Sequence, residues 1–261
     1  VTPAGGRTVW ARRAVVADVT APRLFCDMLP TDAVPPKVRR DLEHFIWDPP
    51  VVKVNYALRG PVPWRAQRLR EVGTVHLGAD GDGLVRWMAD LNTKTVPEHP
   101  FMLLGQTTTA DPTRSPAGTE SVWAYTHLPR NIADDASAER LAESVDRVIE
   151  EHAPGFGAAV IDRFVQRPSD LEASDANLHL GALNGGTAQL HQMLIFRPAA
   201  GMGRAETPVE GLYLGSASAT PGGSVHGACG RNAANAALAA NGISGWPRRR
   251  LTRAAMSLLT K

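Results

Sequence analysis

The 261 residues include only two cysteines, Cys26 and Cys229, far apart and at no metal-ligand spacing. That excludes a disulfide framework and points to thiols in a reducing compartment. No apolar run approaches the roughly 18 residues that a transmembrane helix needs. The opening VTPAGGRTVW has no apolar centre, so no secretory signal is expected there. Net charge is only +2, too small to argue for a nucleic-acid partner. GxSxG and HExxH are both missing, and neither a nucleophilic triad nor a metal site is assigned. GxGxxG is missing too. Gly5-Gly6, Gly78 to Gly83 and Gly201 to Gly203 lack its spacing or its strand-to-helix setting.

What is present is ordinary for a globular protein, with 43% hydrophobic and 21% charged residues, enough for one large domain or two small ones. The chain is organised around Gly211 to Leu238, GLYLGSASATPGGSVHGACGRNAANAAL. Leu212 to Leu214 read as a short strand ending at Gly215. Pro221, Gly222 and Gly223 read as a turn in which backbone can approach a ligand closely, because two positions lack Cβ. From about Val225 to Ala240 small residues predict a closely packed helix. Its N-terminus, with free N–H groups and partial positive charge, suits an anion or a polarised carbonyl oxygen.

Elsewhere, periodicity predicts strands at Thr8–Trp10, Ala14–Ala17, Val51–Leu58, Val72–Leu77, Pro100–Thr109, Glu120–Leu128 and Val160–Val165. Helices are predicted over 35–47, 81–93 and 135–152. The last carries Leu141, Val145, Val148 and Ile149 on one face, with Glu143 four residues before Arg147. Leu84, Trp87, Met88 and Leu91 read as core. The basic WPRRRLTRAAMSLLTK end carries Leu251, Ala255, Leu258 and Leu259 on one helical face. It reads as an ordinary surface helix or, alternatively, as a contact with an anionic membrane surface.

YLGSASATPGGSVHGACGRNAA resembles the carboxy-terminal flavin motif of phytoene-desaturase-like FAD oxidoreductases, within the flavin amine oxidase superfamily. VVADVTAPRLFCDMLP, VKVNYAL, the IEEHAPGF and RPSDLE segments, NLHLGALNGG, Gln189, Arg197-Pro198 and TPVEGLYL resemble further family segments in the same order. The departures are Ser216 and Ala217 where an acidic residue is common, Ala182 where Asp is usual, and no His between Thr220 and Pro221.

The resemblance implies a mixed α/β chain, an incomplete FAD/NAD(P)-binding-type flavin domain plus a substrate domain with a mixed or antiparallel sheet and helices. The implied divisions are a flavin-domain return segment at 1–48, a substrate domain at 49–205, a flavin-binding strand-turn-helix at 206–245 and a basic tail at 246–261. FAD is the implied cofactor, held weakly or not at all without an amino-terminal Rossmann half. The implied contacts are Gly215, Ser216, Pro221, Gly222, Gly223, Val225, His226 and Gly227. No catalytic residue is assigned. His127 and His226 read as structural histidines, with acid–base work as the alternative. Arg231 reaches a phosphate or is solvated, and Cys229 reads as a packed thiol.

The implied function is an FAD-dependent dehydrogenase or desaturase acting on a hydrophobic, carotenoid- or lipid-like substrate. The chain would be one half of a split enzyme, partnered by a second chain carrying GxGxxG, or a truncated product. A non-catalytic interaction subunit is the alternative. A cytoplasmic setting is expected, with peripheral membrane contact through the tail as the alternative.

Overall fold

A computed structural model describes residues 6–78, 80–241 and 245–259, without the side chains of 246, 248, 249, 253, 256 and 259. Gly5 of the expected Gly5-Gly6 turn, Ala79, the segment 242–244, the Leu259 side chain and the tail residues 260–261 lie outside the described residues. In chain order the strands and helices are β1 (Val15–Ala17), α1 (Pro36–Glu43), β2 (Val51–Leu58), β3 (Thr74–Leu77), α2 (Gly81–Thr93), β4 (Met102–Gln106), α3 (Thr107–Ala110) and β5 (Glu120–His127). They continue with α4 (Asp135–His152), α5 (Phe156–Ala159), β6 (Val160–Gln166), α6 (Pro168–Ser174), β7 (Leu212–Leu214), α7 (Ala228–Ala240) and α8 (Gly245–Leu259). The result is a mixed α/β chain with one parallel and one antiparallel sheet.

Two compact units divide it, Val1–Asp48 with Asn184–Lys261, and Pro49–Leu183. In the 49–183 unit five antiparallel strands run in the order β3-β4-β5-β2-β6. Alternation decides which side chains meet the core. Val52, Val54, Tyr56 and Leu58 of β2 and Val122 and Ala124 of β5 are buried in one cluster with Leu141, Ala142, Val145, Val148 and Ile149 of α4. Each fully buried aliphatic chain of this kind contributes about 1.5–3 kcal/mol. Asp134 starts α4 by accepting from the Ser137 N–H at 2.8 Å. Gly155, at φ 91°, follows its end. Arg147 turns from Glu143 to the Glu98 carbonyl, at 2.7 Å, and to Ser144 Oγ, at 3.1 Å.

The edges of the predicted strands move for local reasons. β4 stops at Gln106 because that side chain folds back to donate to the Leu69 and Val72 carbonyls. The backbone N–H groups of Thr108 and Thr109 then donate to Glu120 Oε1, making a helical turn of what alternation read as strand. No strand forms at Thr8–Trp10, where Trp10 is 86% exposed and no partner strand is present among the described residues. On α2, Trp87 and Leu91 are buried, whereas Leu84 and Met88 are exposed.

In the other unit β1 and β7 pair in parallel, Val15 with Leu212, Val16 with Tyr213 and Ala17 with Leu214. Leu24, Phe25, Val38, Leu42, Phe45, Met202 and Leu214 share its main core. Residues 184–205, read from the sequence as part of the substrate domain, group with this unit. Their attachment is apolar and polar together, since Ala199 and Met202 join the main core while Gln192 accepts from the Ile46 N–H and donates to the Ile46 carbonyl, both at 2.9 Å. Helix α1 ends at Glu43, short of the predicted 47, as His44 closes a tighter turn onto Asp41. In the tail α8, Leu251 and Leu258 are exposed. No helix among the described residues is long and apolar enough to cross a membrane.

Candidate functional site

The strand-turn-helix at 212–240 has a buried base and an exposed rim. Strand β7 delivers Gly215, where a Cβ would meet Val16 Cγ1 at 3.2 Å and Ala233 Cβ at 3.4 Å, so only a small residue lets β7 and α7 close up. Ser216, Ser218, Ala219 and Gly222 are buried, whereas Pro221 and Ser224 to Gly227 are exposed. Ser216 Oγ accepts from the Ser218 N–H at 3.2 Å. Ser218 Oγ donates to the Gly185 carbonyl at 2.7 Å and accepts from the Ala21 N–H at 3.1 Å. The two hydroxyls therefore knit the base of the turn.

The base is also held by a residue to which the sequence reading gave no role. Arg197 is 1% exposed and spends its donors on carbonyl oxygens. Nε and Nη2 donate to Ala217 at 3.0 and 2.7 Å, Nη1 to Thr187 at 2.9 Å, and Nη2 also to Asn184 at 2.8 Å and Gly186 at 3.3 Å. Burial pushes this guanidinium down from its ordinary value, with Asp48 acting in the opposite sense. Asp48 Oδ2 in turn accepts from the Asn184 N–H at 2.8 Å. One cation thus ties the 184–187 loop to the 217 turn. A single Arg within IFRPAA carries no periodic signal of this. The Arg-Pro likeness is the only hint in the sequence.

The glycines of the turn lie against this scaffold. A Cβ on Gly222, at φ 112°, would meet Arg197 Nε at 3.2 Å, and one on Gly223 would meet Asn184 Oδ1 at 2.7 Å. Helix α7 begins at Ala228, three residues later than predicted. The cause is local, for Gly227 is left-handed at φ 62° and His226 Nδ1 accepts from the Ala228 N–H at 2.9 Å. Val225 and His226 project outward beside the N-terminus of α7. Cys229 is buried, with its thiol against the Ala219 and Gly222 carbonyls at 3.4 and 3.3 Å. Arg231 is exposed.

Of the expected contacts, Gly215, Ser216 and Gly222 therefore lie in the base of the turn, whereas Pro221, Val225, His226 and Gly227 form its rim. The rim offers backbone and a thirteen-residue helix's N-terminus without a carboxylate, which fits an electron-rich oxygen or an anionic group of a cofactor. Beside it, a cleft of 410 Å³ is lined by residues 203–206, Thr220, Asn232, Asn235, Ala236 and Ala239. Among the described residues no cluster of three or more His, Cys, Asp or Glu is placed to hold a metal ion.

His127, in the 49–183 unit, sits against Trp87 and Tyr125, with ring centroids 6.1 and 6.0 Å away. Its Nδ1 lies 3.2 Å from the Pro49 carbonyl, which assigns the proton to that nitrogen. Burial holds its pKa below the ordinary histidine value, and Arg130 acts in the same direction.

No protein-family model matches the chain. It is 30% identical over 247 residues to the pyridine nucleotide-disulfide oxidoreductase domain-containing protein 2 of Rattus norvegicus, a match covering 88% of this chain and 42% of that protein. It is 29% identical over 240 residues to the Mus musculus protein of the same name, covering 86% and 41%. The chain thus spans about two fifths of the length of these curated relatives. A crystal structure of an oxidoreductase from Methanosarcina mazei aligns with 85% of this chain and 42% of that one, at 13% identity and a TM-score of 0.44.

Proposed function

We propose that this chain supplies the flavin-ring end and the substrate wall of an FAD-dependent oxidoreductase. The observation that carries the reading is the 212–227 turn. Gly215, Gly222 and Gly223 are required by packing, its base is fixed by Arg197, and its rim exposes backbone at the N-terminus of α7. The similarity to oxidoreductase-domain proteins supports a flavin or nicotinamide chemistry in general. The finer reading is a dehydrogenase or desaturase of the phytoene-dehydrogenase-like type, acting on a hydrophobic substrate. Flavin would do the redox chemistry, and this chain would position it and exclude water. The residues here would contribute backbone and packing at the ring end. The diphosphate and adenosine grip would come from a Rossmann unit with GxGxxG, on a second chain or a preceding segment.

The test is reconstitution. The purified chain alone should be colourless. Mixed with FAD and a fragment bearing a GxGxxG Rossmann unit, it should acquire flavin absorbance at about one cofactor per complex. A folded chain that stays colourless with such a fragment overturns the reading. Stoichiometric flavin on the chain alone would move the binding affinity from the Rossmann half to the 212–227 turn.

A further inference from the structure

The five-stranded sheet has two unlike faces. One is covered by α4. On the other, β5 sets Trp123, Tyr125 and His127 in a row, since alternate residues of a strand share a face. Trp123 and Tyr125 are stacked at 5.9 Å and 18°, and Tyr125 meets His127 edge-on at 6.0 Å. The row continues to Trp87 and Phe101, whose centroids are 5.4 Å apart, and on to His76, 5.5 Å from Phe101. Room for the first ring comes from Gly105 on β4, because a Cβ there would overlap the Trp123 indole. The indole therefore lies over the backbone of the neighbouring strand.

On the other side of β5, register places Lys53 opposite Tyr125 and Asn55 opposite Trp123. Next to these, β6 places Gln166 opposite Lys53 and Phe164 opposite Asn55. Phe164 is 59% exposed. Lys53 Nζ and Asn55 Nδ2 both donate to Gln166 Oε1, each at 3.2 Å. No carboxylate pairs with Lys53 among the described residues, and burial pushes its ammonium below the ordinary lysine range. The Trp87 indole N–H, further along the row, is buried without a hydrogen-bond partner among the described residues. A half-buried cation without a counter-charge is unfavourable, and a bound anion would relieve it.

We propose that this face binds a flat, extended apolar molecule bearing a carboxylate, with the carboxylate at Lys53 and the apolar body along Trp123, Tyr125 and Phe164. Lys53 lies abreast of Tyr125, and Trp123 and Phe164 lie one step of about 7 Å along the strands from it, so a charged end at Lys53 would leave an extended apolar body over those rings. That the ligand is also a substrate rests on the oxidoreductase reading. The binding itself does not.

The test uses cis-parinaric acid, a fluorescent conjugated carboxylic acid, and its methyl ester, titrated into the purified chain without flavin. The acid should bind about tenfold tighter than the ester. Lys53→Met should abolish that preference and leave the ester unchanged, while Lys53→Arg should retain it. Trp123→Ala should weaken both probes. Equal binding of acid and ester, a preference that survives Lys53→Met, or a folded chain that binds neither probe would overturn the inference. None of these outcomes depends on flavin reconstitution, so the two readings fail separately.

Discussion

The two units reach order by different means. In the 49–183 unit the core is largely aliphatic and continuous, with long strands, an eighteen-residue helix and a sheet whose inner face is mostly Val, Leu, Ala and Tyr, with Gln106, Glu120 and Thr126 buried toward the strand ends. In the 1–48 and 184–261 unit the strands are three residues long, and much of the chain between them is turn and loop. There a buried guanidinium and two serine hydroxyls organise backbone that no sheet or helix would otherwise pair. Apolar burial is non-directional and tolerates repacking, whereas a buried cation saturated by carbonyls fixes each of them in place. A turn whose backbone must be held without a sheet or helix gains more from the second device.

The sharpest way to break this contrast is Arg197→Ala. It strips several buried carbonyls of their donor, and the expected loss is about 3–5 kcal/mol. Hydrogen exchange should show protection vanishing over 184–198 and 216–223 while 141–149 stays protected. Equal loss in both segments would mean that one cooperative core spans the chain. Next in size is Leu141→Ala, at a side chain with 0% exposure, for which cavity formation costs about 3 kcal/mol. It should deprotect 141–149 and leave the Arg197 network intact, the reverse pattern by the same measurement. Smaller again is Gly222→Ala. It places a Cβ 3.2 Å from Arg197 Nε at a φ of 112°, and about 1–2 kcal/mol is expected. Urea midpoints with unchanged slope would check it.

How much of this was legible in the sequence follows the same division. The eighteen residues of α4 and the whole of β2 are readable because their side chains obey a single period against a single core. Strand β7 and the glycine turn are readable because strand, Gly and small-residue runs follow one another. Trp123, Tyr125 and His127 alternate visibly, but their meeting with Lys53 depends on register, which is set by the partner strand rather than by local pattern. The role of Arg197 is illegible for a stronger reason, since its partners are main-chain oxygens contributed by residues of any type. Thr8–Trp10 shows the opposite error. Strand propensity alone does not make a strand there. The grouping of 184–205 with the 1–48 segment is hard to read for a related reason, because Gln192 and Arg197 bond to main-chain groups while Ala199 and Met202 join the main core without a periodic pattern.

The least disruptive probe is pH. His127 is surrounded by the rings of Trp87 and Tyr125, the Pro49 carbonyl and the charge of Arg130, and its pKa lies below the ordinary 6.5. The unfolded chain therefore takes up a proton at this residue at a pH where the folded chain does not. Above about pH 6.5 both states are neutral at this position and nothing is lost. As pH falls below that value the unfolded state gains a proton first, so stability drops, and the drop continues until the folded pKa is passed. The Asp134 and Glu150 carboxylates, held below the usual carboxylate range by backbone N–H bonds, lose their contribution only at more acidic pH, so the windows separate. Urea unfolding of the 49–183 unit between about pH 7.5 and 5 should show falling stability in the native protein and a flatter profile in His127→Gln. Identical profiles would place the ring in contact with water and its proton on ordinary terms.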